Sequence, residues 1–308
     1  MSENETHYLW AERYRPDTLD GYICDPQVKS ILLNFISQQD IPHLLLPGSA
    51  GTGKTTLAKI LTKNIECDHI YINASDTNGI EMVRTKIKGF ASTTSFAPLK
   101  IVILDEADFF TIEAQAALRN LMETYSQSTR FILTCNYVEK ICNPLISRCQ
   151  VFHIEPPTKK DVAIHIKNIL DKESIKYDIK DIKTVVEDFY PDIRKTINYL
   201  QQSSSTGELK LIKTHSFTLD VKTKLVEFLK KGGKTAFNDI RQLINDAGTK
   251  TVEGLYGELY SNIDVIAPDK QTEAIIIIAE YQYQSSMVID KEITFMACVA
   301  KILVLLQN

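Results

Sequence analysis

Closely spaced cysteine pairs are missing from this 308-residue chain: its six cysteines, at 24, 67, 135, 142, 149 and 298, form no C-x-x-C. That excludes the usual knuckle of a zinc ribbon. Cys135, Cys142 and Cys149 recur every seven residues but straddle expected strand, loop and helix ends, so they read as small buried thiols in a reducing compartment. An excess of positive charge is missing too. The net charge of −4 excludes a global electrostatic attraction to nucleic acid and leaves any DNA contact to a local basic surface. No apolar run is long enough to span a bilayer comfortably. The most apolar tail, residues 293–306, contains Lys301 and fits a packed core helix better. Residues 1–6 are polar and carry two glutamates, unlike a secretory leader, so a cytoplasmic protein without membrane partners is expected. Internal repeats and low-complexity tracts are absent as well.

What remains is a soluble globular composition, 44% hydrophobic and 24% charged, in a chain too long for one ordinary core and suited to two or three domains. Its organising stretch is residues 43–60, HLLLPGSAGTGKTTLAKI. An apolar run at 44–46 predicts a buried strand, residues 48–55 read G-x-x-x-x-G-K-T, and residues 57–60 continue as helix. In that order the pattern is a phosphate loop: glycines let backbone N–H groups turn inward, and the helix N-terminus adds its positive dipole end. Lys54 would reach the outer phosphates, and the Thr55 hydroxyl would ligate Mg²⁺. The aliphatic run 101–104 predicts a second buried strand that delivers Asp105 and Glu106 at its carboxyl end. Asp105 would hold Mg²⁺ through its water shell, and Glu106 would orient or deprotonate the attacking water. Asn136, past a strand at 131–134, could bond that water or simply cap a turn.

The remainder predicts helices. Ile80, Val83, Ile87 and Phe90 recur at helical spacing, with Arg84 and Lys88 on one flank and Lys86 on the other. Residues 113–125 form another, with Gln115 and Arg119 on its polar flank. Residues 10–16, WAERYRP, read as a polar arm. Pro156-Pro157 breaks the chain, and Thr158 to Asp161 has capping-box spacing. A small helical segment follows, then a helical third segment with breaks at Gly232-Gly233 and Ala267-Pro268.

WAERYRP, GSAGTGKT, ILDEAD, LTCN, SRC and PDIRKTIN, in this order, resemble the AAA+ sliding-clamp-loader ATPases. The likeness is to replication factor C small subunits and, more closely, to the large subunit of T-even-type phage clamp loaders. Ser49-Ala50 stand where the family usually has prolines, and the four-cysteine zinc insertion of bacterial loaders is missing. The resemblance implies an α/β fold: a RecA-like AAA+ domain with a parallel sheet over residues 1–156, a helical lid over 157–214 and an all-α collar over 215–308. It implies an adenine pocket at Ala11, Glu12, Arg13, Tyr14 and Ile23, and a phosphate grip by Gly51, Thr52, Gly53, Lys54, Thr55 and Thr56. Asp105 and Glu106 become the Walker B pair, Asn136 sensor 1, and Arg194 sensor 2 on the subunit's own γ-phosphate. Arg148 becomes an arginine finger completing the neighbour's site.

The same resemblance implies DNA contacts from Arg84, Lys86 and Lys88 and a clamp contact at Phe109, Phe110 and Ile112. It further implies ATP and Mg²⁺ as cofactors, with a sliding clamp, primer–template DNA, a smaller partner subunit and further copies of the chain, four in all, as partners. A phage-encoded protein of the host cytoplasm is the corresponding expectation. Two alternatives are a helicase-type ATPase, suggested by the letters DEAD, and a nucleotide-binding scaffold without catalysis.

Overall fold

The computed structural model describes residues 7–211, 213–232, 235–247 and 252–307. The polar opening at 1–6 and Gly233 of the expected break lie outside them. Two compact units divide the chain, Met1–Leu209 and Lys210–Asn308.

The first unit is built on a five-stranded parallel sheet: β1 (Leu44–Pro47), β2 (Cys67–Asn73), β3 (Leu99–Asp105), β4 (Thr129–Cys135) and β5 (Gln150–Val151). The order is β2-β3-β4-β1-β5. β1 and β3 are buried along their whole length, as strands covered on both faces must be. Alternate side chains enter two different cores. Leu45, Val102, Leu104, Phe131 and Leu133 point into one, and Leu44, Leu46, Ile101, Ile103 and Ile132 into the other. Phe131 is fully buried in the middle of β4. Phe131→Ala should therefore cost about 3–5 kcal/mol, read as a lower urea midpoint at unchanged m-value.

Helices α1 (Trp10–Arg13), α2 (Pro26–Gln38) and α3 (Lys54–Asn64) come first. Asp25 caps α2, accepting from the N–H groups of Gln27 and Val28, with Pro26 as the first helical residue. α4 (Ile80–Met82) runs through a wider π turn (Val83–Ile87) into α5 (Lys88–Ser92). α6 (Ile112–Thr124) and the short α7 (Asn143–Ile146) complete the cover of the sheet. Three helices then follow: α8 (Lys159–Lys172), α9 (Ile179–Phe189) and α10 (Ile193–Ser203). Thr158 caps α8, accepting from Asp161 N–H at 3.2 Å, while its hydroxyl donates to the Asp161 carboxylate at 2.6 Å. The arm at residues 10–16 is more ordered than its polarity suggests. Trp10 is 7% exposed, and the arm is tied to α10 by Trp10 N–H to Gln201 Oε1 and Gln201 Nε2 to the Tyr8 carbonyl.

The second unit holds α11 (Lys213–Lys231), α12 (Ala236–Ala247), α13 (Glu253–Ser261), α14 (Ile263–Ile266), α15 (Gln271–Met287) and α16 (Lys291–Gln307). Their shared core includes Leu225, Ile240, Leu255, Tyr256, Phe295 and Ile302. No helix among the described residues is long and apolar enough to cross a membrane.

Candidate functional site: a nucleotide cleft at the carboxyl edge of the sheet

Register aligns the strand ends that carry the chemistry. Pro47 lies opposite Cys135, Leu104 opposite Leu133, and Asn73 opposite Asp105. The loop after β1 and the acids after β3 therefore face one cleft of about 410 Å³. Gly51 (φ 76°) and Gly53 (φ 96°) adopt backbone that favours glycine. Space is equally restrictive: a Cβ at Gly51 would sit 2.0 Å from Asp192 Oδ1, and one at Gly53 would sit 3.0 Å from the Tyr22 ring.

Lys54 opens α3 and is buried. Its ammonium donates to the carbonyls of Gly48 at 3.0 Å and Ser49 at 2.7 Å, and to Asn136 Oδ1 at 2.8 Å. Burial pushes its pKa below the ordinary lysine value, opposed by the nearby Asp105. An anionic phosphate at this position relieves that desolvation. The Thr55 hydroxyl donates to Asp105 at 2.8 Å. Hydroxyl and carboxylate are hard oxygen donors, too few to cage a cation alone but suited to a Mg²⁺ that keeps waters and phosphate oxygens. The residues present fit that ion.

The cleft gathers most of the expected residues: Ala11, Glu12, Tyr14 and Ile23 on one wall, residues 51–56 on the floor, and Asp105, Glu106 and Asn136 at the strand ends. Arg194, near the start of α10, closes another side. Arg13 is the exception. It turns from the cleft to donate to Glu173 Oε1 at 2.6 Å, where the Tyr14 hydroxyl also donates. Residues 10–13 are one helical turn, so Ala11, Glu12, Tyr14 and Arg15 share the face toward the cleft and Arg13 leaves from another. Arg15, Tyr71, Thr134 and His165 line the cleft instead without having been expected. Thr134 stands two residues before Asn136, and that period-2 relation was the available signal; Tyr71 on β2 had none. His165, from α8, carries no such mark.

Arg148 lies elsewhere. It precedes β5, whose Gln150 pairs with Leu44 at the start of β1, so it occupies the amino edge of the sheet. The phosphate loop is at the other end of β1, about 10 Å away along the strand alone. Arg148 bonds the Pro144 carbonyl at 2.6 Å and the Glu123 carboxylate. Arg84, Lys86 and Lys88 are exposed on the π turn and α5, with Val83 and Ile87 buried beneath them. Phe109 and Ile112 are 49% and 80% exposed. Phe110 is 5% exposed and packs in the sheet core, so it drops out of the expected clamp contact. Gln115 is likewise buried rather than on a polar flank, bonding the carbonyls of Phe110 and Lys140 and the N–H of Cys142. All six cysteines are free thiols, with Cys135 and Cys298 buried and the others partly so.

Residues 44–156 match the family model described as ATPase family associated with various cellular activities (AAA). A replication factor C small subunit of Sulfurisphaera tokodaii is 34% identical across 97% of this chain and 96% of that protein. The Staphylothermus marinus small subunit is 35% identical over 96% and 94%. The chain belongs to the replication factor C small-subunit family. It is accordingly an ATP hydrolase of the AAA+ class and an ATPase subunit of a clamp loader in DNA replication. Among solved structures, the Thermotoga maritima RuvB Holliday junction branch migration motor superposes with a TM-score of 0.56 at 15% identity, covering 80% of this chain and 91% of that one. At that identity the likeness concerns the fold alone. Replication factor C membership also explains why the letters DEAD need no second RecA-like half: beyond residue 157 every regular element among the described residues is helical.

Proposed function

We propose that this subunit works in a spiral of like subunits, each ATP site being completed by Arg148 of the adjacent copy, and that ATP binding opens a sliding clamp for primer–template DNA. The observation behind this is the position of Arg148: a guanidinium at the amino edge of the sheet cannot serve a phosphate held at the carboxyl edge of the same sheet. Within one subunit, Lys54 and the N–H groups of the loop grip the phosphates. Thr55 and Asp105 would hold Mg²⁺, which would supply charge neutralisation to the phosphates. Glu106 orients the attacking water and takes its proton, Asn136 fixes the water's position, and Arg194 contacts the γ-phosphate of its own subunit. Hydrolysis then releases the clamp closed around DNA.

In this scheme residues 157–214 act as the lid and residues 215–308 as the collar that holds the ring together. Phe109 and Ile112 present apolar surface to the clamp. A further part of the proposal is a phage-type assembly in host cytoplasm, four copies of this chain with one smaller subunit. The mass of the reconstituted assembly tests that count, and a mass that does not fit four copies with one smaller subunit would overturn it.

DNA contact by Arg84, Lys86 and Lys88 would be to phosphates, independent of sequence and strongly salt-dependent. The test is ATP turnover of the reconstituted loader with and without clamp and primer–template DNA. Arg84→Ala with Lys88→Ala should weaken DNA stimulation and flatten the salt dependence of DNA affinity by about one unit of slope per contact removed. Stimulation and slope identical to the parent would remove this helix from the DNA path.

A further inference from the structure

Asp105 receives two further hydroxyl donors, Tyr71 and the Thr134 of LTCN, to which the resemblance assigns no role. Tyr71 donates to Oδ2 at 2.6 Å and Thr134 to Oδ1 at 2.5 Å, beside the two contacts from Thr55. An ionised carboxylate only accepts, with room for about four donors, so its rotation is fixed from three sides. The direction of the Thr134 bond is determined by a second one. The Glu106 N–H lies 3.0 Å from Thr134 Oγ1 and must donate, so the single hydroxyl proton of Thr134 goes to Asp105. Thr134 thus ties the Asp105 carboxylate to the backbone of Glu106. That backbone is left-handed (φ 55°, ψ 43°), which is uncommon for a non-glycine residue and needs support.

Thr134 and Asp105 each follow the last residues paired between their strands, Leu133 and Leu104, and Thr134 is 1% exposed. Tyr71 reaches the carboxylate diagonally from β2, with Lys59 Nζ 5.5 Å from its ring centroid.

We propose that Thr134 and Tyr71 are positioning residues: both orient Asp105 for Mg²⁺, and Thr134 also holds the Glu106 backbone so that its carboxylate is aimed at the attacking water. The proposal rests on the assignment of Asp105 as metal holder and Glu106 as water-orienting residue. If the hydroxyls only satisfied a buried carboxylate, their loss would lower thermal stability and nothing else.

Thr134→Val, Thr134→Ser, Tyr71→Phe and Asp105→Asn separate these cases in the full-length chain. A fluorescent ATP analogue is titrated with and without MgCl2, and the Mg²⁺ midpoint of turnover is measured in the assembled loader. Thr134→Val should reduce the gain in analogue affinity given by MgCl2 on the order of tenfold, raise the Mg²⁺ midpoint similarly, and lower turnover at saturating Mg²⁺. Thr134→Ser should restore all three. Tyr71→Phe, which does not touch Glu106, should shift the Mg²⁺ midpoint while turnover at saturation falls far less than in Thr134→Val. Parental Mg²⁺ responses in Thr134→Val and Tyr71→Phe, beside a strong effect of Asp105→Asn, would overturn the proposal alone. A parental response in Asp105→Asn would overturn the metal assignment beneath it.

Discussion

Arg148→Ala is expected to leave ATP binding to the isolated chain intact and to lower clamp- and DNA-stimulated hydrolysis by about three orders of magnitude or more. An arginine supplied to a phosphoryl-transfer site from a neighbouring subunit contributes on that scale, because it meets charge that develops on the phosphate only in the transition state. The location of Arg148 separates the two effects. It does not line its own cleft, so its removal takes nothing from the grip of Lys54 and the loop on the nucleotide. In the single chain its guanidinium rests on Glu123 and the Pro144 carbonyl. A partly exposed ion pair of this kind contributes about 1 kcal/mol or less. Transfer to a bound triphosphate on the next subunit is therefore not opposed by a strong competitor. Mixed assemblies sharpen the test. Wild-type chains doped with a few Arg148→Ala chains should lose the sites next to the variant, not the sites within it. Full turnover by separated single chains, or near-parental stimulated turnover by the variant, would end the shared-site account.

The sheet and its cleft were legible in the sequence because two signals coincide there. Aliphatic runs mark β1 and β3 as buried on both faces, and the glycines and acids stand where those runs stop. The strands expected at 44–46, 101–104 and 131–134 extend by one or two residues at their ends, and β3 gains residues that hydrophobicity alone did not mark, such as the buried Lys100. Lys100 belongs in its strand because its ammonium is satisfied by the Phe90 carbonyl and by Thr93, a compensation visible only in three dimensions. Phe109 and Phe110 are chemically alike, so only the 3-10 turn at Ala107–Phe109 decides that one faces solvent and the other the core. Arg13 illustrates the same limit. Whether it or Arg15 faces the nucleotide depends on Glu173, 160 residues away, which captures Arg13. Local pattern fixes which elements exist; long-range polar partners select which side chains of an irregular segment enter the site.

Glu106→Gln should reduce stimulated turnover by about a hundred- to ten-thousandfold, the usual contribution of a positioned general base. The substitution is nearly isosteric, keeps the hydrogen bond of the residue 106 N–H to Thr134, and asks the same left-handed backbone of its new side chain. Neither the Lys54 grip nor the Thr55–Asp105 pair is altered, so the loss should appear in kcat, with little change in KM. In the proposed cycle clamp opening follows ATP binding and release follows hydrolysis, so the variant loader should accumulate on primer–template DNA with its clamp still bound. Single-turnover quench measurements check the chemical step, and retention of labelled clamp on DNA checks the release step. An amide in place of the carboxylate can still orient a water but cannot take its proton. Turnover within tenfold of the parent would therefore mean that proton transfer at Glu106 does not limit the reaction, and that preorganisation by Arg148 and the phosphate loop supplies the rate.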